Sequence, residues 1–435
     1  MSLLSNAVSG LNAANLALQV AGNNTANAAV KGYSRQSVYL NTASGALNGV
    51  KVTKVDRIVN NYLNHDIWRS SADLNYYQGF QNYLGFIEQV VGAESLNLND
   101  AVAQITSALN AALAQPDSPA YRQQVLSAAD ALAQDMAQLN GALDGQRLKL
   151  GKELSDLAAN SSSLTAQIAE LNQRISKAQA LNEPVAELQD GRERLVTELA
   201  GYLNVSVLEQ ADGSISISTI NGSPLVIGNK AASFSVLDNA VSVSFNQQQY
   251  PLTATIGGRL GGLIAVQQQV LEPVTAQFND FLATMADNVN AALAAGFDLN
   301  GAPGKPLFVY EAASALSSLR RNPDITPAEL AFRADAAAGV GDNSNIAAIV
   351  NAFNSAAPGY NSLIGELAIQ SKQVQSSIKT AQILNSNAVS ARESISGVNL
   401  DEEAANILFY QNMYAANAKV ISTADELFRT LINAF

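Results

Sequence analysis

Leu4, Leu11 and Leu18 recur every seven residues at the start of the chain, and Ala7, Ala14 and Ala21 fill the alternate positions. This spacing predicts a helix with a narrow seam of the coiled-coil type. The pattern loosens after Tyr33, where Val50, Val52 and Val55 predict a short strand near Gly49. From about Tyr62 to Tyr202 the helical spacing returns. Ile87, Val90 and Val91 mark one stretch and Ile105, Leu109 and Leu113 a second, which Pro116 and Pro119 of "QPDSP" end. Beyond Tyr121, the run Leu132, Met136, Leu139, Leu143, Leu150, Leu154, Leu157, Leu164, Ile168, Leu171 and Ile175 keeps steps of three, four or seven. Such a length without Gly-Pro punctuation predicts a long helix in a rod-like bundle. "NEPVAEL" at 182–188 is the next turn, before a helix through Leu195 and Leu199.

The period then changes from helical to two. Val205 and Val207 alternate with polar residues, and Asp212-Gly213 is a hairpin signal. Ile215, Ile217 and Thr219 predict the returning strand, and Asn221-Gly222 a second hairpin. Phe234, Val236, Val241, Val243 and Phe245 carry the alternation to about Ile256. Helix resumes after Gly262 through Val270, Val274, Phe278, Phe281, Leu282 and Met285 to Leu293. A loop-rich stretch at 296–345 holds Pro303, Pro306, Pro323 and Pro327, and helical spacing returns with Ile364, Ile369, Val374 and Ile378.

The last forty residues carry the clearest pattern. Leu400, Ile407, Tyr414, Ile421, Phe428 and Phe435 recur at seven, with Tyr410, Ala424 and Leu431 beside them. Asn399 with Glu402 predicts a capped start, and Asp401 and Glu403 add negative charge where the helix dipole favours it. The expected fold is mainly α with a β insert, in discontinuous nested domains. Terminal coiled-coil helices (1–60 plus 396–435) enclose a long helical bundle rod (61–202 plus 257–395), which encloses a small antiparallel β-domain (203–256). Both chain ends then meet at one end of the molecule. The wide apolar face of the last helix exceeds what one slim partner can cover, so other subunits are expected to cover it.

Composition narrows the function. Only 14% of the 435 residues are charged, against roughly a quarter in ordinary globular chains. Uncharged polar faces suit lateral packing of subunits, because amides are buried at lower cost than charges. A net charge of −12 disfavours nucleic acid and anionic membrane as partners. No apolar run approaches the roughly 20 residues of a membrane span. The first basic residue is Lys31, so an ordinary cleaved signal peptide is not expected. Cysteine is absent, which removes disulfides and thiolate metal sites.

Catalytic chemistry finds no constellation. The one histidine, His65, sits in a helical context without a nucleophile and orienting acid, and Trp68 reads as packing. "GGRLGG" at 257–262 lacks the lysine and spacing of a phosphate loop and reads as a tight turn before the next helix. "LDEE" at 400–403 reads as a solvated first turn, and "DLNGAPGK" at 298–305 lacks the ligand alternation of a calcium loop. No catalytic residue, cofactor or metal ligand is assigned.

The termini carry a resemblance. "NNTANAAVKGYSRQ" resembles the Asn-x-x-Asn…Gly-Tyr-Ser-Arg-Gln element near the start of bacterial flagellar axial proteins, the rod, hook and junction family. "SGVNLDEEAANILFYQNMYAANAKVIS" resembles the C-terminal signature of its hook-associated subgroup. "VSVLEQADGSISISTINGSPLVIG", "AAGFDLNGAPGKPLF" and "GVGDNSNI" are similar to it in order, so the likeness spans essentially the whole chain. Val30-Lys31 stands where Thr-Pro is usual, Thr25 where Ile is frequent, and the chain is short for the subgroup. The resemblance implies a non-enzymatic structural subunit outside the cell at the hook–filament junction, exported unfolded through the flagellar type III channel. Implied partners are copies of itself in a helical ring, the hook protein, a second junction protein and, before export, a chaperone on the C-terminal helix.

The residues expected at the assembly interface follow. At the N-terminal end they are Leu4, Leu11, Leu18, Asn23, Asn24, Asn27, Gly32, Tyr33 and Arg35. At the C-terminal end they are Leu400, Ile407, Tyr414, Ile421, Phe428, Leu431 and Phe435, which also form the implied chaperone site. The asparagines are expected to cap the first helix and offer amides to neighbours, Gly32 to allow a bend, and Tyr33 and Arg35 to lock the exiting chain. An ordinary intramolecular cap is the alternative. Rival functions are another axial component (hook, distal rod or second junction protein), a secreted coiled-coil adhesin, and a wall hydrolase on an axial scaffold.

Overall fold

The computed structural model describes residues 2–42, 49–93 and 96–434. Helix α1 (Ser2–Asn27) turns Ala7, Gly10, Ala13, Ala14, Ala17, Ala21 and Asn24 inward against the last helix of the chain. Leu4 is exposed, and Leu11 and Leu18 are half-buried at the edge of that contact. Small residues occupy the centre because they let the two backbones approach. A Cβ added at Gly10 would lie 2.6 Å from Asn417 Oδ1. Strands β1 (Gln36–Thr42) and β2 (Val50–Arg57) form an antiparallel ribbon with a bulge at Tyr39/Leu40. A lone two-stranded ribbon is marginal in water. This one lies on α1, where Ser9 Oγ accepts from the Val50 amide at 3.2 Å.

The rod begins with α2 (Asn61–Val91), capped by the Asn60 side chain on the Tyr62 amide, and α3 (Leu98–Ala112), capped likewise by Asn97. Helix α4 (Pro119–Ala180) runs 62 residues, and Pro119 starts it at a position that needs no amide donor. Its Leu132, Met136, Leu139, Leu143, Leu150 and Leu154 are all buried, as the spacing predicts. Helix α5 (Ala186–Tyr202) returns along it after a turn in which Asn182 is left-handed.

Seven short strands follow. β3 (Val205–Glu209), β4 (Ile215–Thr219), β5 (Pro224–Ile227) and β6 (Lys230–Ala231) form one antiparallel sheet in sequential order. β7 (Ser233–Leu237), β8 (Ala240–Phe245) and β9 (Gln248–Pro251) form a second. Gly213 and Gly222 supply the positive φ values, 76° and 87°, that the two turns require. Ile215, Ile217, Val226, Val241 and Val243 face inward. The Asn172 amide on α4 donates to Ile215 O (2.8 Å) and Gly228 O (2.9 Å), which fixes the strands on the rod.

Helix α6 (Gly258–Val266) starts earlier than the sequence pattern suggests. Only Gly257 and Gly258 make the turn, and Gly261 and Gly262 lie inside the helix. Their lack of a side chain lets α6 press on α2 at Tyr76. A π-helical turn at Gln267–Leu271 joins it to α7 (Glu272–Ala294). The loop-rich stretch carries β10 (Phe308–Val309), α8 (Ala315–Ser318) and β11 (Arg320–Arg321). Fully buried Arg122 secures this stretch by donating to the carbonyls of Pro116, Pro327 and Leu330 while stacking on Phe332.

Helix α9 (Ile346–Asn354) leads to α10 (Ala357–Ser396), antiparallel to α2. The buried face of α10 is Tyr360, Leu363, Leu367, Ser371 and Ala381, and Ile369 points outward at 71% exposure. Ser371 can replace an apolar residue there because the Gln81 amide reaches its hydroxyl at 3.1 Å. Helix α11 (Leu400–Asn433) then runs back along α1. One continuous apolar core extends from Trp68 on α2 to Leu367 on α10.

Candidate assembly surface at the joined chain ends

The stretch after α1 is held by one buried amide. Asn24 Nδ2 donates to Gln36 O (2.9 Å) and Glu403 Oε2 (3.3 Å), and its Oδ1 accepts from the Gln36 amide and the Tyr33 hydroxyl, both at 2.9 Å. Every bond of that side chain is therefore used within the chain. Asn27 donates back to Asn23 O at 2.9 Å, and the Asn23 side chain faces outward. The three asparagines thus divide, one inward and two on or near the surface. Gly32 takes φ +80° to turn the chain, and a Cβ there would meet the Arg194 side chain at 2.8 Å.

Arg35 joins the two ends. Its amide donates to Ser396 O (2.9 Å) and its NH1 to Glu402 Oε2 (2.6 Å). Its Nε lies 2.7 Å from Glu403 Oε1, an ion pair off the line of the N–H. The first turn of α11 is therefore not fully solvated: Asp401 and Glu402 are exposed, but Glu403 is buried against Asn24 and Arg35. The Asn399 side chain caps this turn, accepting from the Asp401 and Glu402 amides. Glu402 turns to Arg35 instead of completing a reciprocal cap.

Sequence reasoning passed over a second cluster. Arg57 at the end of β2 donates to Asp190 Oδ1 (2.5 Å), Glu193 Oε1 (2.6 Å) and Gln189 Oε1 (3.1 Å), all on α5. Asp190 also accepts from the Ser34 amide. Arg392 on α10 donates to Gly32 O, Ser34 Oγ and Asn64 Oδ1. Burial works against the charge on Arg57, but Glu193 and Asp190 outweigh it and hold its pKa above the usual value. Burial, with the fields of Asp190, Glu403 and Glu187, pushes the Tyr33 phenol up to about 12. A signal was available: residues 1–60 hold five basic residues and one acidic one in a chain of net −12.

The outer face of α11 is the largest uncovered feature of this end. Glu403 is its one buried side chain among the described residues. Ile407, Tyr410, Met413, Ile421 and Ala424 lie half-buried on the α1 side. Leu400, Leu408, Phe409, Tyr414, Leu427, Phe428, Leu431 and Ile432 are exposed, as are Leu3, Leu4 and Val8 on α1. The expected seam thus splits: Ile407 and Ile421 touch α1, whereas Leu400, Tyr414, Phe428 and Leu431 face outward. Phe435 lies outside the described residues.

Other features have packing roles. Trp68 Nε1 donates to Thr197 Oγ1 at 3.0 Å, and the His65 and Trp68 rings pack edge to face with centroids 4.9 Å apart. Among the described residues no group of three or more His, Asp or Glu is placed to hold a metal ion. Among them, too, no helix is long and apolar enough to cross a membrane.

Two protein families match parts of the chain. The family described as flagellar hook-associated protein FlgK helical domain matches residues 84–308. The family described as flagellar basal body rod FlgEFG protein C-terminal matches residues 389–434. Flagellar hook-associated protein 1 of Escherichia coli (strain K12) is 23% identical over 547 aligned positions, covering 99% of each chain. Its counterpart in Salmonella typhimurium is 24% identical over 549 positions, again covering 99% of each. Both alignments exceed the length of this chain, so the relatives carry internal residues that it lacks. The solved flagellar hook junction protein FlgK from Burkholderia pseudomallei superposes with a TM-score of 0.52 at 27% identity. That match covers 58% of this chain and 47% of the other.

Proposed function

The chain belongs to the flagellar hook-associated protein FlgK family, and from that premise we propose that it is a structural subunit of the hook–filament junction. It assembles through its joined ends, with the outer faces of α1 and α11 as the contact surface. The observation that carries this reading is a 34-residue helix with one buried side chain and a long exposed apolar face. Burying a large apolar side chain yields about 1.5–3 kcal/mol. Neighbouring copies therefore have enough surface on offer to offset the ordering of both helices. Head-to-tail contacts of this kind generate rings or helices of identical subunits.

The proposed division of labour is that 1–60 with 396–435 forms the axial contact body. The rod, 61–202 with 257–395, stands off it, and 203–256 decorates the rod. The hook protein lies on one side of the assembly and a second junction protein on the other. Before export a chaperone covers the apolar face of α11, including Leu400, Tyr414, Phe428 and Leu431. Export proceeds through the flagellar channel.

A deletion strain tests the role. It is expected to build hooks of normal length and to shed flagellin into the medium, and a tagged copy restores filaments and is found at hook tips. Missing hooks, or a tagged protein spread away from hook tips, would overturn the assignment.

A further inference from the structure

The terminal body and the rod do not share a core. Among the described residues, the continuous apolar cluster takes none from 1–60 and none from α11. The terminal body has its own alanine-lined seam. Two short linkers join the bodies, 58–60 after β2 and 397–399 after α10. The named hydrogen bonds and ion pairs that cross between them are those of Ser34 and Arg57 with Asp190, Gln189 and Glu193, and those of Arg392 with Gly32 O and Ser34 Oγ.

Beside this joint lies an open cleft of about 410 Å³, with Lys31 and Gly32 on one wall and Trp68, Arg194 and Val389 on the other. Polar contacts next to an open cleft exchange with water. A joint filled with interdigitated apolar side chains has no such substitute and resists motion. Half-exposed ion pairs, such as Arg35–Glu402 within the terminal body, hold with about 0–1 kcal/mol. Arg57 differs: its side chain and that of Asp190 are each 6% exposed. Separating such a pair leaves uncompensated charge behind.

We infer that this joint is a hinge latched by Arg57 between Asp190 and Glu193, and that opening the latch lets the α1/α11 pair tilt into the cleft. The latch is a property of the single chain. Its use rests on the junction reading: one subunit fits its terminal pair to two different neighbours without repacking its rod.

The absence of cysteine makes the test direct. Spin labels on Lys379→Cys and Ala416→Cys, both exposed, sit about 25 Å from the joint along α10 and α11. Pulsed electron–electron distance measurement on the dilute full chain reads the tilt. The expected result is one narrow distance distribution with Arg57 present. In Arg57→Gln its width roughly doubles, or a second, shorter distance appears. The rod keeps its melting temperature, and Arg57→Lys gives an intermediate width. Raising salt broadens the distribution less than Arg57→Gln does, because the buried pair is poorly screened. Superimposable distributions for the chain with Arg57 and for Arg57→Gln overturn the latch. So does a broad distribution in the unsubstituted chain, or loss of the rod's melting transition in Arg57→Gln. None of these results depends on where the protein sits on the cell, so failure of the latch is distinguishable from failure of the junction role.

Discussion

Helices α4 and α11 carry the same kind of sequence and meet opposite surroundings. Both are long, and both space apolar residues at three, four and seven. On α4 that face is closed by α2, α3, α5 and the strands, so Leu132, Met136, Leu139 and Leu150 are fully buried. On α11 only one side meets a partner, the alanine-lined face of α1, and Phe409, Leu427, Phe428 and Leu431 stay exposed. Periodicity establishes that a face seeks cover. It does not say whether the cover lies on the same chain. The rod covers its own apolar face; the terminal pair leaves one open.

Substitutions break this contrast in order of size. Leu139→Asp places a charge in the closed core, a loss of several kcal/mol, and is expected to abolish the rod's cooperative melting transition. Phe428→Asp, on the open face, is expected to leave melting unchanged and to block incorporation into flagella. Equal loss of melting in the two variants would erase the distinction. Ile421→Asp sharpens it, because Ile421 faces α1 and should lower terminal helicity even in the free chain.

Arg122→Met strips three carbonyls of their donor, two of them buried, at a cost of about 3 kcal/mol. Gly10→Val displaces the Asn417 side chain where α1 meets α11 and is expected to lower terminal helix content through an overpacking cost of about 1–3 kcal/mol. Circular dichroism should register that loss while the rod transition stays in place. Arg35→Met leaves the buried Glu403 carboxylate without its cation and should shift chemical denaturation of the terminal body by more than the roughly 0–1 kcal/mol of a surface pair.

The smallest effect concerns pH. The Tyr33 pKa is raised to about 12 in the folded chain. Its contribution is therefore fully present below the unfolded value of about 10 and is lost as pH climbs through 12. Tyr33→Phe should flatten that alkaline loss for the terminal body, read from α11 exchange protection against pH. An identical pH profile in both chains would remove Tyr33 from the joint.

Much of the fold was legible in the sequence. The leucine run of α4, the Pro116–Pro119 break, both Asx-Gly hairpins and the Asn399 cap are local signals with local causes, and the structure has each of them. The glycines of 257–262 and the face of α10 were less legible. Close approach of α6 to Tyr76 and the hydrogen bond that admits Ser371 to a buried face are both set by distant residues. At the chain ends the pattern of apolar residues was visible, but it placed the leucines of α1 at the seam centre. Backbone proximity favoured the alanines. The Arg57–Asp190–Glu193 cluster joins residues more than a hundred positions apart, and only the excess of basic residues in 1–60 hinted at it.

Hydrogen exchange on the dilute, unassembled chain addresses the asymmetry most directly. The expected result is slow exchange along α4 and the inward strands, and faster but still measurable exchange along α11 that slows once the chain is incorporated at the hook tip. Protection of α11 in the free chain equal to that of α4 would contradict it, because the terminal pair would then be complete without neighbours.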